Sequence, residues 1–341
     1  MSEPSFWRHK LTPSDLAAIE TLVKPVLARC SSPEDVEFLR EARLIAQEMP
    51  RSVRQTLYQF TLLEPPCGVC MVSGLPVDDQ QIGPTPEHWI QRNEHRPTLF
   101  HEVLLLLLGS LLGEVMGWAT QQGGHLIHQV FPIRIHENEQ LGTGSRQLLW
   151  WHNEDAFHQL RPDYLCLMCL RNPERVPTMI ASLENLALPD QYLDQLFEPQ
   201  FTIRPDESHQ KKNMGDQSRG KVSYEHIEAL NRCPEKIPVL YGHRSSPYLR
   251  LDPYFMDPVE DNPKAQLALN SLIRLLDSQI RDIVLEPGDC CILDNYRAVH
   301  GRRAFQARYD GRDRWLQRIN ITRDLRKSRH CRSTSDSRVL S

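Results

Sequence analysis

An imidazole and a carboxylate stand two residues apart, His152 and Glu154, within Leu149-Trp150-Trp151-His152-Asn153-Glu154-Asp155-Ala156-Phe157-His158. On an extended strand such a pair shares one face, and at a strand end it converges on one point. This is two thirds of the 2-His-1-carboxylate set that holds Fe(II) on one side and leaves the other positions open. The third ligand must come from a distant segment, so the pattern constrains the whole fold: two remote pieces of chain have to meet. His300 fits. Gly288-Asp289-Cys290-Cys291-Ile292-Leu293-Asp294-Asn295-Tyr296 reads as a turn and a buried strand that delivers it.

A His-x-Glu pair by itself most often decorates a strand. The chain after His300 changes its weight. Arg314 and Arg318 follow by 14 and 18 residues, in Asp313-Arg314-Trp315-Leu316-Gln317-Arg318. An iron oxygenase that uses 2-oxoglutarate needs a buried cation for the far carboxylate of that cosubstrate. Arginine's planar fork binds carboxylate through two parallel hydrogen bonds.

These motifs resemble the clavaminate-synthase-like 2-oxoglutarate dioxygenases, and within them the branch that hydroxylates free amino acids. The resemblance rests on the stretch from Trp151 to His158, on Asp163-Tyr164-Leu165-Cys166-Leu167-Met168-Cys169-Leu170-Arg171-Asn172-Pro173, and on Asp294-Asn295-Tyr296 through Arg318. It implies Fe(II) on His152, Glu154 and His300, with 2-oxoglutarate and O2 as cosubstrates. It also implies Arg314 on the 2-oxoglutarate carboxylate and Arg318 on the substrate carboxylate. In that branch the iron-binding glutamate and a glutamine ahead of the iron motif also attend the substrate. The glutamine is Gln121, Gln122 or Gln129, with Gln122 preferred. A threonine that touches the cosubstrate in many relatives is left open, because Met179 has its spacing and Thr178 is adjacent.

The resemblance bears on the substrate as well. Arginine hydroxylases of the branch set two acids, two residues apart, against the guanidinium. The matching stretch, Leu251-Asp252-Pro253-Tyr254, keeps Asp252 and has Tyr254 in the other place. One carboxylate suits a compact ammonium better than a forked guanidinium. The expected reaction is therefore 3- or 4-hydroxylation of free L-lysine, giving succinate and CO2. Arginine, citrulline, ornithine or a carrier-bound residue are the alternatives. Asp252 capping a turn is the bland reading. A jelly-roll binding protein that has lost its metal is the reading from another class, and the intact His152, Glu154, His300 and Arg314 set argues against it.

Net charge -4 argues against a nucleic-acid partner, which would require a basic face. The apolar run 103–108 is too short to cross a bilayer, and residues 1–25 lack the apolar segment of a signal peptide. Nine cysteines, an odd number, suit reduced thiols in a cytoplasmic protein. Cys67-x-x-Cys70 and Cys166-x-x-Cys169 lie too far apart for a zinc ribbon and read as core residues. Assembly into homo-oligomers stays open.

Helical periodicity is expected from residue 14 toward 30, from 32 or 33 onward, and over 99–116, 189–197 and 263–279. Strands are expected at 67–75, 125–131, 164–170, 178–182, 200–204, 237–241, 248–251, 283–286, 290–296 and 315–322. This pattern points to a mainly β chain with flanking helices, a double-stranded β-helix or jelly roll. Residues 1–323 are expected to form one domain with a polar active-site lid at 205–222, followed by a basic, frayed tail at 324–341.

Overall fold

The computed structural model describes residues 6–91, 96–211 and 224–341. Strand β1 (Trp7–Lys10) leads into helices α1 (Pro13–Arg29), α2 (Val36–Ala46) and α3 (Arg51–Leu63). Helix α1 starts at a capping box. Thr12 Oγ1 accepts from the Asp15 N–H, and the Asp15 carboxylate accepts from the Thr12 N–H, so Thr12 replaces Ser14 as the cap.

β2 (Val69–Ser73), α4 (Leu99–Ser110) and β3 (Glu114–Trp118) follow. The helix expected over 99–116 thus ends early. At Gly113 the chain passes the Thr322 carbonyl so closely that a Cβ would lie 2.4 Å from its oxygen, and the chain then runs on as a strand. β4 (His128–Val130), β5 (Leu149–His152), β6 (Tyr164–Arg171) and β7 (Thr178–Ser182) come next. Then follow α5 (Asp190–Phe197), α6 (Glu225–Arg232), the hairpin β8 (Leu240–His243) and β9 (Ser246–Leu249), and α7 (Pro263–Ser278). β10 (Arg281–Ile283), β11 (Cys290–Asp294), β12 (Ala298–Arg302), β13 (Trp315–Thr322) and β14 (Val339–Leu340) complete the described elements. Residues 200–204 make only isolated bridges, Phe201 to Ile237 and Ile203 to Met256.

Apart from the β8-β9 hairpin, which pairs only with itself, the strands form two sheets. The larger runs β1-β2-β11-β6-β13-β3-β14, with β4 also paired to β13, and the smaller runs β10-β7-β12-β5. Strict alternation sorts their side chains. Leu165 and Leu167 of β6, Cys291 and Leu293 of β11, Leu316 of β13, Ile180 of β7 and Ala298 of β12 share one core between the sheets. The opposite face of the large sheet, with Cys166, Met168, Ile292, Ile319 and Ile321, packs under α1–α4. The opposite face of the small sheet, with Trp151, Met179 and Val299, packs under α5 and α7. This is a jelly-roll arrangement with helices outside both sheets. Strand β6 is apolar throughout because both of its faces are covered.

Cys166 and Cys169 fall on opposite faces of β6, which removes any shared metal and bears out their reading as core residues. No described helix is long and apolar enough to cross a membrane. The tail expected to fray is instead docked. Val339 and Leu340 pair parallel to Gly117 and Trp118 of β3. The buried Arg332 donates to the carbonyls of Leu325, Thr334, Ser335 and Ser337. The lid expected at 205–222 lies outside the described residues from 212 onward. Its described start forms a 3-10 turn, Glu207–His209.

Candidate active site

Strands β5 and β12 run antiparallel with His152 and His300 as direct partners. Gly301 permits this approach, since a Cβ there would lie 2.6 Å from the Leu149 carbonyl oxygen and 3.0 Å from Trp151 backbone. The two imidazole centroids are 4.8 Å apart. Glu154 Oε2 lies 3.9 Å from His152 Nε2 and 3.6 Å from His300 Nε2. His152 Nδ1 is 2.7 Å from the Trp150 carbonyl oxygen. A carbonyl only accepts, so Nδ1 carries the proton and Nε2 presents its lone pair to the site. Burial, with the neighbouring Arg318 charge, holds His300 well below the usual histidine range and hence neutral.

Glu154 divides its two oxygens. Oε1 accepts from Arg318 Nη1 at 2.6 Å, while Oε2 is buried with no hydrogen-bond partner. Burial pushes this carboxyl up to about 7, against the opposing pull of Arg318. An orphaned carboxylate oxygen facing two imidazole nitrogens fits a divalent cation with N, N and O donors. These residues would hold iron.

Bracing around the motif is reciprocal. Asn295 Oδ1 accepts from the Glu154 N–H, and Asn295 Nδ2 donates to the Glu154 carbonyl. Asn153 Nδ2 donates in turn to the Asn295 and Ala298 carbonyls. Asp155 takes a left-handed φ of 49°, a conformation aspartate tolerates, and swings its carboxylate away from Glu154. That carboxylate accepts from Trp118 Nε1 at 2.7 Å, Gln121 Nε2 at 3.0 Å and His209 Nε2 at 3.0 Å. Burial opposes both charges, yet their contact holds Asp155 low and His209 high. The pair ties the 3-10 turn to the metal motif.

His152, Glu154 and His300 open onto a cleft that communicates with solvent. Arg314, Arg318 and Asp252 line the same cleft, so the structure brings together every sequence-predicted site residue except Gln122. The Gln122 amide is spent on the Gln129 backbone, donating to its carbonyl and accepting from its N–H. The Gln129 amide oxygen takes the Trp315 indole. Of the three glutamines, Gln121 has partners that belong to the site: Asp155 and the cleft-lining Ser208. Its buried Oε1 has no partner.

Arg314 is buried and donates to Thr178 Oγ1 at 3.3 Å, which places Thr178 rather than the core residue Met179 in the cleft. Among the described residues no carboxylate pairs with Arg314, its Nε has no acceptor, and burial lowers its pKa to about 10. Arg318 also donates from Nη2 to His128 Nδ1 at 2.7 Å, a contact that fixes His128 as the neutral acceptor. Asp252 accepts from the Tyr254 and Phe255 N–H groups. Burial raises it to about 6, with Asp206 adding to the rise and His152 opposing. Three cleft residues carried no separate signal in the sequence. Asp206 and Ser208 stood within the polar segment expected as a lid, and Arg302 stood two residues after His300.

Comparison with known proteins agrees with this geometry. Residues 96–320 match the family described as taurine catabolism dioxygenase TauD, TfdA family. The chain is 43% identical to the L-ornithine/L-arginine 3-hydroxylase of Catenulispora acidiphila, over 98% of this chain and 99% of the relative. It is 41% identical to the enduracididine beta-hydroxylase of Streptomyces hygroscopicus, over 97% and 98%. The crystal structure of the non-heme iron oxygenase OrfP with Fe, succinate and (3S)-hydroxy-L-Arg superposes with a TM-score of 0.93 at 45% identity, over 98% of this chain and 99% of that one. OrfP has also been solved with Fe and alpha-ketoglutaric acid. Donor set, jelly roll and near full-length similarity agree: the chain belongs to the TauD/TfdA family and is an Fe(II)- and 2-oxoglutarate-dependent dioxygenase.

Proposed function

We propose that the chain hydroxylates an unactivated side-chain carbon of a free basic L-amino acid, with L-arginine as the substrate that fits best and ornithine next. The observation that carries this is a pair of carboxylates, Asp252 and Asp206, lining the same cleft as the metal donors, with Asp206 near enough to add to the rise that burial gives Asp252. The lysine expectation rested on one acid at this place. The fold supplies a second from a different segment, and two carboxylates match the several N–H groups of a guanidinium. The similarity to an L-ornithine/L-arginine 3-hydroxylase and to OrfP supports the same choice.

The overall change consumes the amino acid, 2-oxoglutarate and O2 and gives the hydroxy-amino acid, succinate and CO2. Iron, when held by His152, Glu154 and His300, supplies oxygen activation that no side chain here can perform. Arg314 and Thr178 receive the distal carboxylate of 2-oxoglutarate. Arg318, with its buried and unpaired Nε, receives the substrate carboxylate, and Glu154 and Gln121 stand beside the α-amino group. Asp206 and Asp252 hold the far cation, so a carbon in the middle of the side chain lies over the metal donors.

The test is a screen of the twenty common amino acids plus ornithine and citrulline, reading oxygen-dependent succinate release and a product heavier by one oxygen atom. Arginine should give the highest kcat/KM. Lysine exceeding arginine would overturn the arginine assignment, and release that no basic amino acid stimulates would overturn the reading as a whole.

A further inference from the structure

We propose that Arg302 is a second cation for the distal carboxylate of 2-oxoglutarate, acting beside Arg314. This rests on Arg314 having the role given above. Arg302 lies on β12 two residues beyond His300, on the same inward face, and lines the same cleft. Its register partner across the sheet is Thr178, whose hydroxyl accepts from Arg314. Thr178 thus neighbours both arginines, Arg302 through strand pairing and Arg314 through a hydrogen bond, and both arginines line the cleft beside it.

Both residues are buried, and both carry an Nε with no acceptor. Among the described residues neither is paired with a carboxylate. Two like buried charges lining one cleft without an anion are costly, and the cost falls when a carboxylate enters between them. Arg302 also has a mechanical task. It donates to the Gly144 and Gln147 carbonyls and lies 5.0 Å over the Phe305 ring, which pins the loop ahead of β5. Those two bonds use part of a five-donor guanidinium, and carbonyl dipoles do not neutralise a full charge. A carboxylate offers about four lone-pair sites, more than Arg314 and Thr178 occupy alone.

Binding separates the electrostatic task from the mechanical one. The enzyme loaded with Mn(II) in place of iron is titrated anaerobically by calorimetry with 2-oxoglutarate and with 2-oxobutyrate, which lacks the distal carboxylate. Arg302→Gln should weaken 2-oxoglutarate by about tenfold or more and leave 2-oxobutyrate within about twofold, since only the distal charge contact is lost. Arg302→Lys keeps the charge but not the planar pair of loop bonds, and it should recover most of the preference for the diacid. Equal weakening of both acids, an unchanged preference in the Gln variant, or a Lys variant as poor as the Gln variant would reduce Arg302 to a loop pin. Should the Gln variant fail to fold, the Lys variant decides, because a loop pin predicts equal weakening of both acids there. Arg314→Gln serves as the reference. If it keeps the diacid preference, the underlying assignment of Arg314 fails, whatever Arg302 does.

Discussion

The end of the cleft proposed for the cosubstrate and the end proposed for the amino acid are built from different material. Thr178 and Arg302 stand on β7 and β12, strands paired on both sides, and Arg314 immediately precedes β13. Asp206 instead caps a three-residue 3-10 turn, and Asp252 lies in the loop after β9. A ladder on each side fixes a strand position to a fraction of an ångström, whereas a loop acid depends on a few local bonds. Asp206 relies on the Ser208 N–H and on the Asp155–His209 tie beneath it. Such a scaffold can change its amino acid by altering loops while the oxygen chemistry stays on the strands.

The largest expected effect removes what both ends share. His152→Ala and His300→Ala should each abolish iron binding and turnover together, since each takes away one of three protein ligands. Metal analysis after anaerobic reconstitution checks this, and normal iron occupancy would refute the assignment. Next, Arg314→Lys should raise KM for 2-oxoglutarate by about tenfold to a hundredfold, with KM for arginine within about twofold, because a bidentate contact becomes a point charge. The reverse pattern would mean that Arg314 and Arg318 had been exchanged.

Asp252→Asn and Asp206→Asn probe the loop end. Each should lower kcat/KM for arginine by about tenfold or more while 2-oxoglutarate and iron still bind. If Asp252 only caps its turn, the variant will lose thermal stability and keep its preference for arginine over norleucine. A smaller effect is expected at Gly301→Ala, where a methyl forced against Leu149 and Trp151 should cost about 1–3 kcal/mol of stability, read from denaturant unfolding. The smallest is Gln122→Ala, which should lose about 1–2 kcal/mol through its two backbone bonds and leave both KM values unmoved.

Several features of the site were legible in sequence because they are local. Strand β6 is a continuous apolar run, α7 shows helical periodicity, and His152 and Glu154 are close neighbours. The lysine expectation came from the same kind of local comparison, which saw Tyr254 near Asp252 and had no means of seeing that Asp206 lines the same cleft. Tyr254 is half exposed. The tail looked frayed because an Arg- and Ser-rich segment has no apolar period. Arg332 folds it through backbone carbonyls, a kind of bond that composition does not announce.

By itself the sequence determined the donor chemistry, the cation that follows the last histidine, and the alternation that turns both inward. These depend on residue type and short spacing, which backbone periodicity converts directly into direction. Only the tertiary structure decided which glutamine has partners at the site, that a second acid, Asp206, lines the cleft with Asp252, and that Arg302 lines it with Arg314. Those choices are set by contacts such as Thr120 with His209 and Gln121 with Ser208, 89 and 87 residues apart. Packing of whole sheets and loops, rather than any local preference, brings such pairs within hydrogen-bond reach.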